Sequence, residues 1–243
     1  MQSPTIPSHW GAMTISSIDL AKLDPSTRSN PFSIVIVGGG FSGAMVAAQL
    51  LNQLPTGQSI AIVEKNGALG EGVAYGTRVR RHLLNVSAKG MSGFPDRPEH
   101  FLQWLRLHFD PAVSADDFVP RHVFGQYCQS ILADSLAKRP DVVFCRIQAE
   151  AVALSTDGAT ATISLQNGSV LSTSIVILAT GNNPPAPGRL FSLLPEKYYT
   201  RDAWSKTALE DIPKDGSVLL VGSGLTAIDQ VVALEEQGFT GTV

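Results

Sequence analysis

Cysteine is scarce in this chain. Cys128 and Cys145 are its only two, 17 residues apart, and they form neither a CxxC nor a CxxxxC pair. A dithiol redox centre is thereby excluded, and a disulfide scaffold does not suit 243 residues. A reducing compartment, the cytoplasm, is the expectation. The five histidines (His9, His82, His100, His108 and His122) follow no HxxxH or HxH spacing, so a metal site has no ligand pair to start from. No apolar run approaches the ~18 residues needed to cross a bilayer, so no membrane span is expected. A net charge of −3 gives no attraction for nucleic acid or an anionic membrane, and neither is expected as a partner. No Ser/His/Asp or Cys/His constellation is apparent. The first 30 residues are rich in Ser, Thr and Pro, and their only lysine and arginine are Lys22 and Arg28, without the basic start and apolar stretch of a signal peptide. They read as a disordered leader, residues 1–30.

What is present is a soluble globular composition, 44% hydrophobic and 16% charged, enough for a sizeable core. Residues 33–37, Ser-Ile-Val-Ile-Val, suit a strand buried on both faces. Glycines follow at once, then an Ala/Leu-rich helical stretch over 44–54 that stops at Pro55, then a second buried strand over 59–64. Strand, glycine turn, helix and strand in that order make a βαβ unit, which builds parallel sheet. Residues 70–98 are irregular and Gly-rich. Helices are expected over 99–109 and 121–138, the second ended by Pro140. Strands over 142–154, 159–165 and 170–178, joined at Asp157-Gly158 and Asn167-Gly168, read as an antiparallel meander. A Pro-rich linker begins at Asn182. Residues 218–221 read as another buried strand, followed by a glycine turn and a helix to about Glu236.

Two motifs carry chemistry. Gly38-Gly39-Gly40-Phe41-Ser42-Gly43 is a GxGxxG between a strand and a helix. Gly38 allows the tight turn, Gly40 lets a pyrophosphate approach the backbone, and Gly43 lets helix and strand pack closely. The unpaired N–H groups and partial positive charge of the helix N-terminus favour phosphate. Glu64, 21 residues after Gly43 at the end of the second strand, is placed to accept bonds from ribose hydroxyls, and Lys65 adjoins it. The second motif, Gly222-Ser223-Gly224-Leu225-Thr226-Ala227, is a GxGxxA about 180 residues after the first.

Between them, residues 175–181 end the meander in Ala179-Thr180-Gly181. This arrangement resembles the two-dinucleotide-binding flavoproteins, in which the Ala-Thr-Gly turn passes beside FAD and the second turn holds the pyrophosphate of NADPH or NADH. The resemblance implies FAD as first cofactor, NADPH or NADH as second, and hydride transfer from nicotinamide to flavin. Gly72-Val73-Ala74-Tyr75-Gly76-Thr77, His82-Leu83-Leu84-Asn85-Val86, residues 92–105 and the runs at 118–121 and 124–127 are similar to one branch of proteins related to flavin-dependent monooxygenases, including the N-hydroxylating ones. The resemblance covers roughly residues 33–240. It implies an α/β fold: a Rossmann-like FAD-binding domain over 31–185 with β-meander and helical insertion, a linker over 186–215, and the start of a second Rossmann-like NAD(P)-binding domain over 216–243, incomplete and so apparently truncated.

It also implies that residues 70–93 face the isoalloxazine. Asn85 and Ser87 become candidates for hydrogen bonds to the ring or a substrate, and Lys89 a candidate for its pyrimidine end; an ordinary loop role is the commoner one for each. Where Baeyer–Villiger enzymes carry a His-containing signature, this chain has Tyr198-Tyr199-Thr200-Arg201-Asp202, so that chemistry is not assigned. The expected activity is an NAD(P)H-dependent FAD oxidoreductase, a monooxygenase acting on a small-molecule substrate. The alternative is a flavin-binding fragment or regulatory module without turnover. A flavin disulfide reductase lacks its cysteines. Cys128 and Cys145 read as core thiols, and His100 and Trp104, spaced i, i+4, as packing. The substrate, the choice between NADP and NAD, the catalytic residues and the oligomeric state have no signature in these residues.

Overall fold

The computed structural model describes residues 32–183, 186, 193–205 and 207–243. The expected leader, 1–30, lies outside them, as does part of the linker. Six strands, β1 (Phe32–Val37), β2 (Ser59–Glu64), β3 (Val143–Gln148), β4 (Ala151–Thr156), β5 (Ala161–Leu165) and β6 (Val170–Leu178), are interleaved with α1 (Phe41–Gln53), α2 (Gly72–Tyr75), α3 (His100–His108) and α4 (Arg121–Ala137). A fifth helix, α5 (Leu225–Glu236), follows. The hydrogen-bonded order is β3-β2-β1-β6-β5-β4. β1 is parallel to β2 and β6, β2 is parallel to β3, and β4, β5 and β6 are antiparallel.

The stretch over 142–154 is therefore two strands, not the single first strand of a meander. β3 completes the parallel sheet on β2, and β4 pairs with β5. The chain breaks at Ala149, whose N–H turns back to the Ile147 carbonyl at 3.2 Å. Between Gln148 and Ala151 the backbone reaches at most about 11 Å, whereas the edges of a flat six-stranded sheet lie roughly 24 Å apart. The sheet must consequently double over. The bend falls in β6, whose first residues pair with β5 and whose last pair with β1. Thr173, fully buried, sits at the changeover, and its Oγ1 bonds the backbone N–H and carbonyl of Ile175.

Strand alternation then sorts the core into two halves. Ile34, Ile36, Ile60 and Ile62 face the helices and pack with Ala44, Leu51, Phe101, Phe124 and Tyr127. Val35, Ala61, Val63, Cys145 and Ile147 face the folded-over meander and meet Ile163, Leu165 and Leu171. Each Val, Leu, Ile or Phe among these, fully buried, contributes about 1.5–3 kcal/mol of transfer free energy. The two central parallel strands are apolar over residues 34–37 and 60–63 because both their faces are covered there.

The second unit departs from expectation. Residues 218–221 are not a buried strand: Leu219 is 86% exposed, Val221 is 68% exposed, and the only bridge nearby joins Ser217 to Thr242. Only the start of the run is paired: the Val218 N–H donates to the Thr242 carbonyl at 2.8 Å, and among the described residues no further strand pairing reaches Leu219–Val221. The helix that follows is present as expected.

Candidate functional site

β1 delivers the chain to Gly38 at the carboxyl end of the parallel strands. Gly38 has φ +102°, which an L side chain rarely adopts, and its N–H bonds the Val63 carbonyl at 2.8 Å. A Cβ here would lie 2.2 Å from the Ala179 carbonyl oxygen. The two expected flavin elements, the first glycine turn and the Ala-Thr-Gly turn, are thus in direct contact, and the Ala179 N–H bonds the Val37 carbonyl at 2.8 Å. Thr180 and Gly181 continue outward, exposed. Gly43 performs the packing role expected of it: a Cβ would sit 1.9 Å from the Gly38 carbonyl oxygen.

Gly40 is the N-cap of α1, and neither a side-chain cap nor an acidic first-turn residue satisfies the helix's leading N–H groups. Uncapped donors beside a glycine turn suit an anion such as pyrophosphate. Ser42 is exposed, while Phe41 packs on Tyr75 and Phe124, with ring centroids 6.2 and 5.7 Å away. Glu64 ends β2 against this turn. Its Oε2 accepts the Gly39 N–H at 2.7 Å and its Oε1 the Asn66 N–H at 2.8 Å. The carboxylate thereby braces the turn it was expected to serve, and each oxygen keeps a second lone pair for a further donor. Lys65 pairs with Glu150 at 2.9 Å. Both line an open polar hollow of about 580 Å³ with Asn66, Gln148 and Asn167.

Two further glycines contribute to the turn: Gly70, not singled out from sequence, and Gly72, read there only as the start of the 72–77 run. Gly70 donates to the Gly39 carbonyl at 2.7 Å, and Gly72 rests against Gly40, where a Cβ on Gly40 would find the Gly72 Cα at 3.4 Å. The paired glycines at 70 and 72 were the available signal. In the stretch expected to face the isoalloxazine, Asn85 is exposed, Ser87 is half-buried, and Lys89 pairs with Asp116 at 2.5 Å. Burial pushes the Cys128 and Cys145 thiols up, as suits core residues. Tyr127 holds the Gly93 N–H at 3.0 Å and lies 2.8 Å from His100 Nδ1, while burial lowers the His100 pKa.

The second turn stands apart from the first. Gly222 has φ +122°, Gly224 is the N-cap of α5 without a side-chain cap, and Gly222, Ser223, Gly224, Leu225 and Thr226 are exposed, with Ala227 half-buried. No hydrogen bond joins the two turns among the described residues. Among the described residues there is also no cluster of His, Cys, Asp and Glu able to hold a metal ion, and no helix long and apolar enough to cross a membrane.

A glycine turn after β1, an uncapped helix behind it and an acid at the end of β2, all at the carboxyl edge of parallel strands, define a dinucleotide-binding protein. Residues 35–183, more than half of the chain, match the model of the FAD-NAD(P)-binding family, and the chain belongs to that family. Its fold is similar to that of OTEMO in complex with FAD and NADP, with a TM-score of 0.53 at 16% identity, covering 88% of this chain and 38% of that one. A flavin-containing monooxygenase from Stenotrophomonas maltophilia gives 0.43 at 20% identity, covering 65% and 42%. Cyclohexanone monooxygenase in a closed form gives 0.43 at 17%, covering 65% and 29%. The chain spans less than half the length of each of these structures. No curated protein matches it.

Proposed function

We propose that this chain carries the cofactor site of an NAD(P)H-dependent FAD oxidoreductase, a monooxygenase acting on a small-molecule substrate. The carrying observation is the convergence of the first glycine turn, Glu64 and Ala179 at one sheet edge, where Gly38 and Gly43 leave no room for a Cβ. That cradle fits FAD. The backbone of Gly38, Gly39, Gly40, Phe41, Ser42 and Gly43 and the start of α1 would hold its pyrophosphate, and Glu64 with Lys65 its adenosine end. Ala179, Thr180, Gly181 and Asn85 would line the flavin end. Gly222, Ser223, Gly224, Leu225, Thr226 and Ala227 would hold NADPH or NADH. FAD, when bound, supplies the redox chemistry, accepting hydride and passing electrons to O₂. The protein's work is then to bind, orient and exclude water, so no protein nucleophile is needed. The cytoplasm suits a protein whose two cysteines are free and buried.

A second reading, a flavin-binding module without turnover, is favoured by the exposure of the whole second turn and of Leu219 and Val221. Anaerobic titration decides between them. Flavin absorbance that bleaches with NADPH or NADH supports the oxidoreductase and reports nucleotide preference. Flavin that binds and stays oxidised supports the module, and a chain that takes up no FAD overturns both.

A further inference from the structure

The buried face of α5 is half polar and half apolar. Its buried residues are Asp229, Gln230, Ala233 and Leu234, whereas Leu225 and Ile228 point to solvent. Opposite Asp229 lies His82, 3% exposed and bonded at both ring nitrogens. Its Nε2 is 2.8 Å from the Asp229 main-chain carbonyl, and its Nδ1 is 2.8 Å from Thr77 Oγ1. A carbonyl only accepts, so Nε2 carries the proton, and in the neutral ring Nδ1 accepts from the threonine hydroxyl. That hydroxyl in turn accepts the Val79 N–H at 3.2 Å.

The Asp229 carboxylate meets Arg121 at the start of α4. Oδ2 lies 2.7 Å from Nη2 without hydrogen-bond alignment, and the two side chains are only 11% and 13% exposed. Arg121 is itself fixed, donating through Nε to the Leu83 carbonyl at 2.9 Å and through its backbone N–H to the His82 carbonyl at 2.8 Å. Trp204 closes the cluster, edge-on to the His82 ring at 6.0 Å and beneath the Arg121 guanidinium at 5.2 Å. Near the far end of α5, Arg81 pairs with Glu235 at 2.6 Å, but both side chains are more than half exposed, so that tie is weak.

We propose that His82, Arg121 and Trp204 form a positioning latch that grips α5 at Asp229 and so sets where the second glycine turn stands relative to the first. Asp229 is five residues beyond Gly224, about 7 Å along the helix axis. Rotation at the latch therefore swings the Gly222–Gly224 backbone directly. The directed bond from His82 Nε2 to the Asp229 carbonyl, with the Arg121–Asp229 ion pair beside it, defines an orientation that the apolar Ala233 and Leu234 alone would leave free to slide. None of the three residues needs to touch a cofactor to do this. The consequence for hydride transfer rests on the oxidoreductase reading above.

The test separates orientation from activity. Spin labels at Gln53→Cys, on the last residue of α1, and Glu236→Cys, on the last of α5, report the distance between the two units; the native cysteines are buried. The latch predicts one narrow distance distribution in the otherwise wild-type chain, a broadened or shifted one in His82→Ala, and recovery in His82→Gln, whose amide can still donate to the carbonyl. Trp204→Leu, which leaves the ion pair in place, should broaden it too and serves if His82→Ala fails to retain FAD. Flavin reduction by the preferred nucleotide should slow by about a hundredfold in His82→Ala, the scale of a 1 Å misplacement, with nucleotide affinity and reduction by dithionite unchanged. A broad distribution in the wild type, or a narrow unchanged one in both variants, overturns the latch. If nucleotide fails to reduce even wild-type flavin, the oxidoreductase reading falls, while the distances still decide the latch.

Discussion

Gly43 illustrates how a single missing side chain organises the site. The residue is helical and its φ is ordinary, so conformational freedom is not the reason for glycine. The reason is the Gly38 carbonyl oxygen, 1.9 Å from where a Cβ would stand. Gly43→Ala must therefore push α1 off β1 or displace the turn, at a cost of ~3 kcal/mol for forced overpacking. Gly38→Ala adds a left-handed φ to a 2.2 Å clash with Ala179. The expected outcome is a lower urea midpoint for Gly43→Ala and loss of FAD at concentrations that saturate the wild type, read by fluorescence of released flavin. A Gly43→Ala chain of unchanged stability and unchanged flavin content would show that the turn is softer than its geometry requires. The glycine spacing and the acid at Glu64 were legible in sequence because their constraints are local. The bracing of Gly39 by Glu64 was not, since it needs the relative placement of β1 and β2.

Among the elements, α1 is held at both ends by other parts of the chain. Its carboxyl end is capped by Arg139, whose guanidinium bonds the Leu51 carbonyl and, at 2.9 Å, the Leu54 carbonyl. Asp141 holds that guanidinium at 2.8 and 2.9 Å, and the hydrogen bond from Arg139 keeps its carboxyl below the usual range. A carboxylate with a depressed folded pKa stabilises above its unfolded value, near 4, and the contribution vanishes as pH falls through the lower folded value. Asp141→Asn should thus lower the melting temperature slightly at pH 7, with the gap to wild type closing in acid. A gap independent of pH would assign the effect to packing. The helices and the hairpins at Gly158 and Gly168 were readable because periodicity and turn residues act over a few positions. The division of 142–154 into β3 and β4 was not. No glycine or proline interrupts that run, and the break exists because two different strands compete for its halves. Residues 218–221 carry the same apolar signal as β1, yet a strand is completed by neighbours and not by its own composition.

For the molecule as a whole, the fold predicts which flavin it prefers. On the proposed reading, the part of the cradle from the uncapped start of α1 to Glu64 and Lys65 would hold a pyrophosphate and an adenosine, which FMN lacks. FAD should therefore raise the thermal midpoint and FMN should not. At a hundredfold excess over Kd, a ligand specific for the folded state adds about 2.7 kcal/mol, worth several degrees in a chain of this size at roughly 2–4 °C per kcal/mol. Equal shifts from FAD and FMN would move recognition to the flavin ring and away from the first glycine turn. The arrangement of the two units was the part least visible in sequence: His82 and Asp229 are 147 residues apart, and neither sits in a motif that names the other.

The doubled sheet bears on how this protein is made. β6 is the strand that lies beside β1 at the cradle, yet some 130 residues of chain separate them, and the Ala179 carbonyl that closes on Gly38 comes later still. On a ribosome, the βαβ unit holding the glycine turn emerges early but lacks a wall until Gly181 has cleared the exit tunnel. Pairings so distant in sequence form slowly, and the unclosed sheet edge is exposed to aggregation in the interval. On the proposed reading, flavin capture is then a late event in the life of each nascent chain, following the closure of β6 on β1.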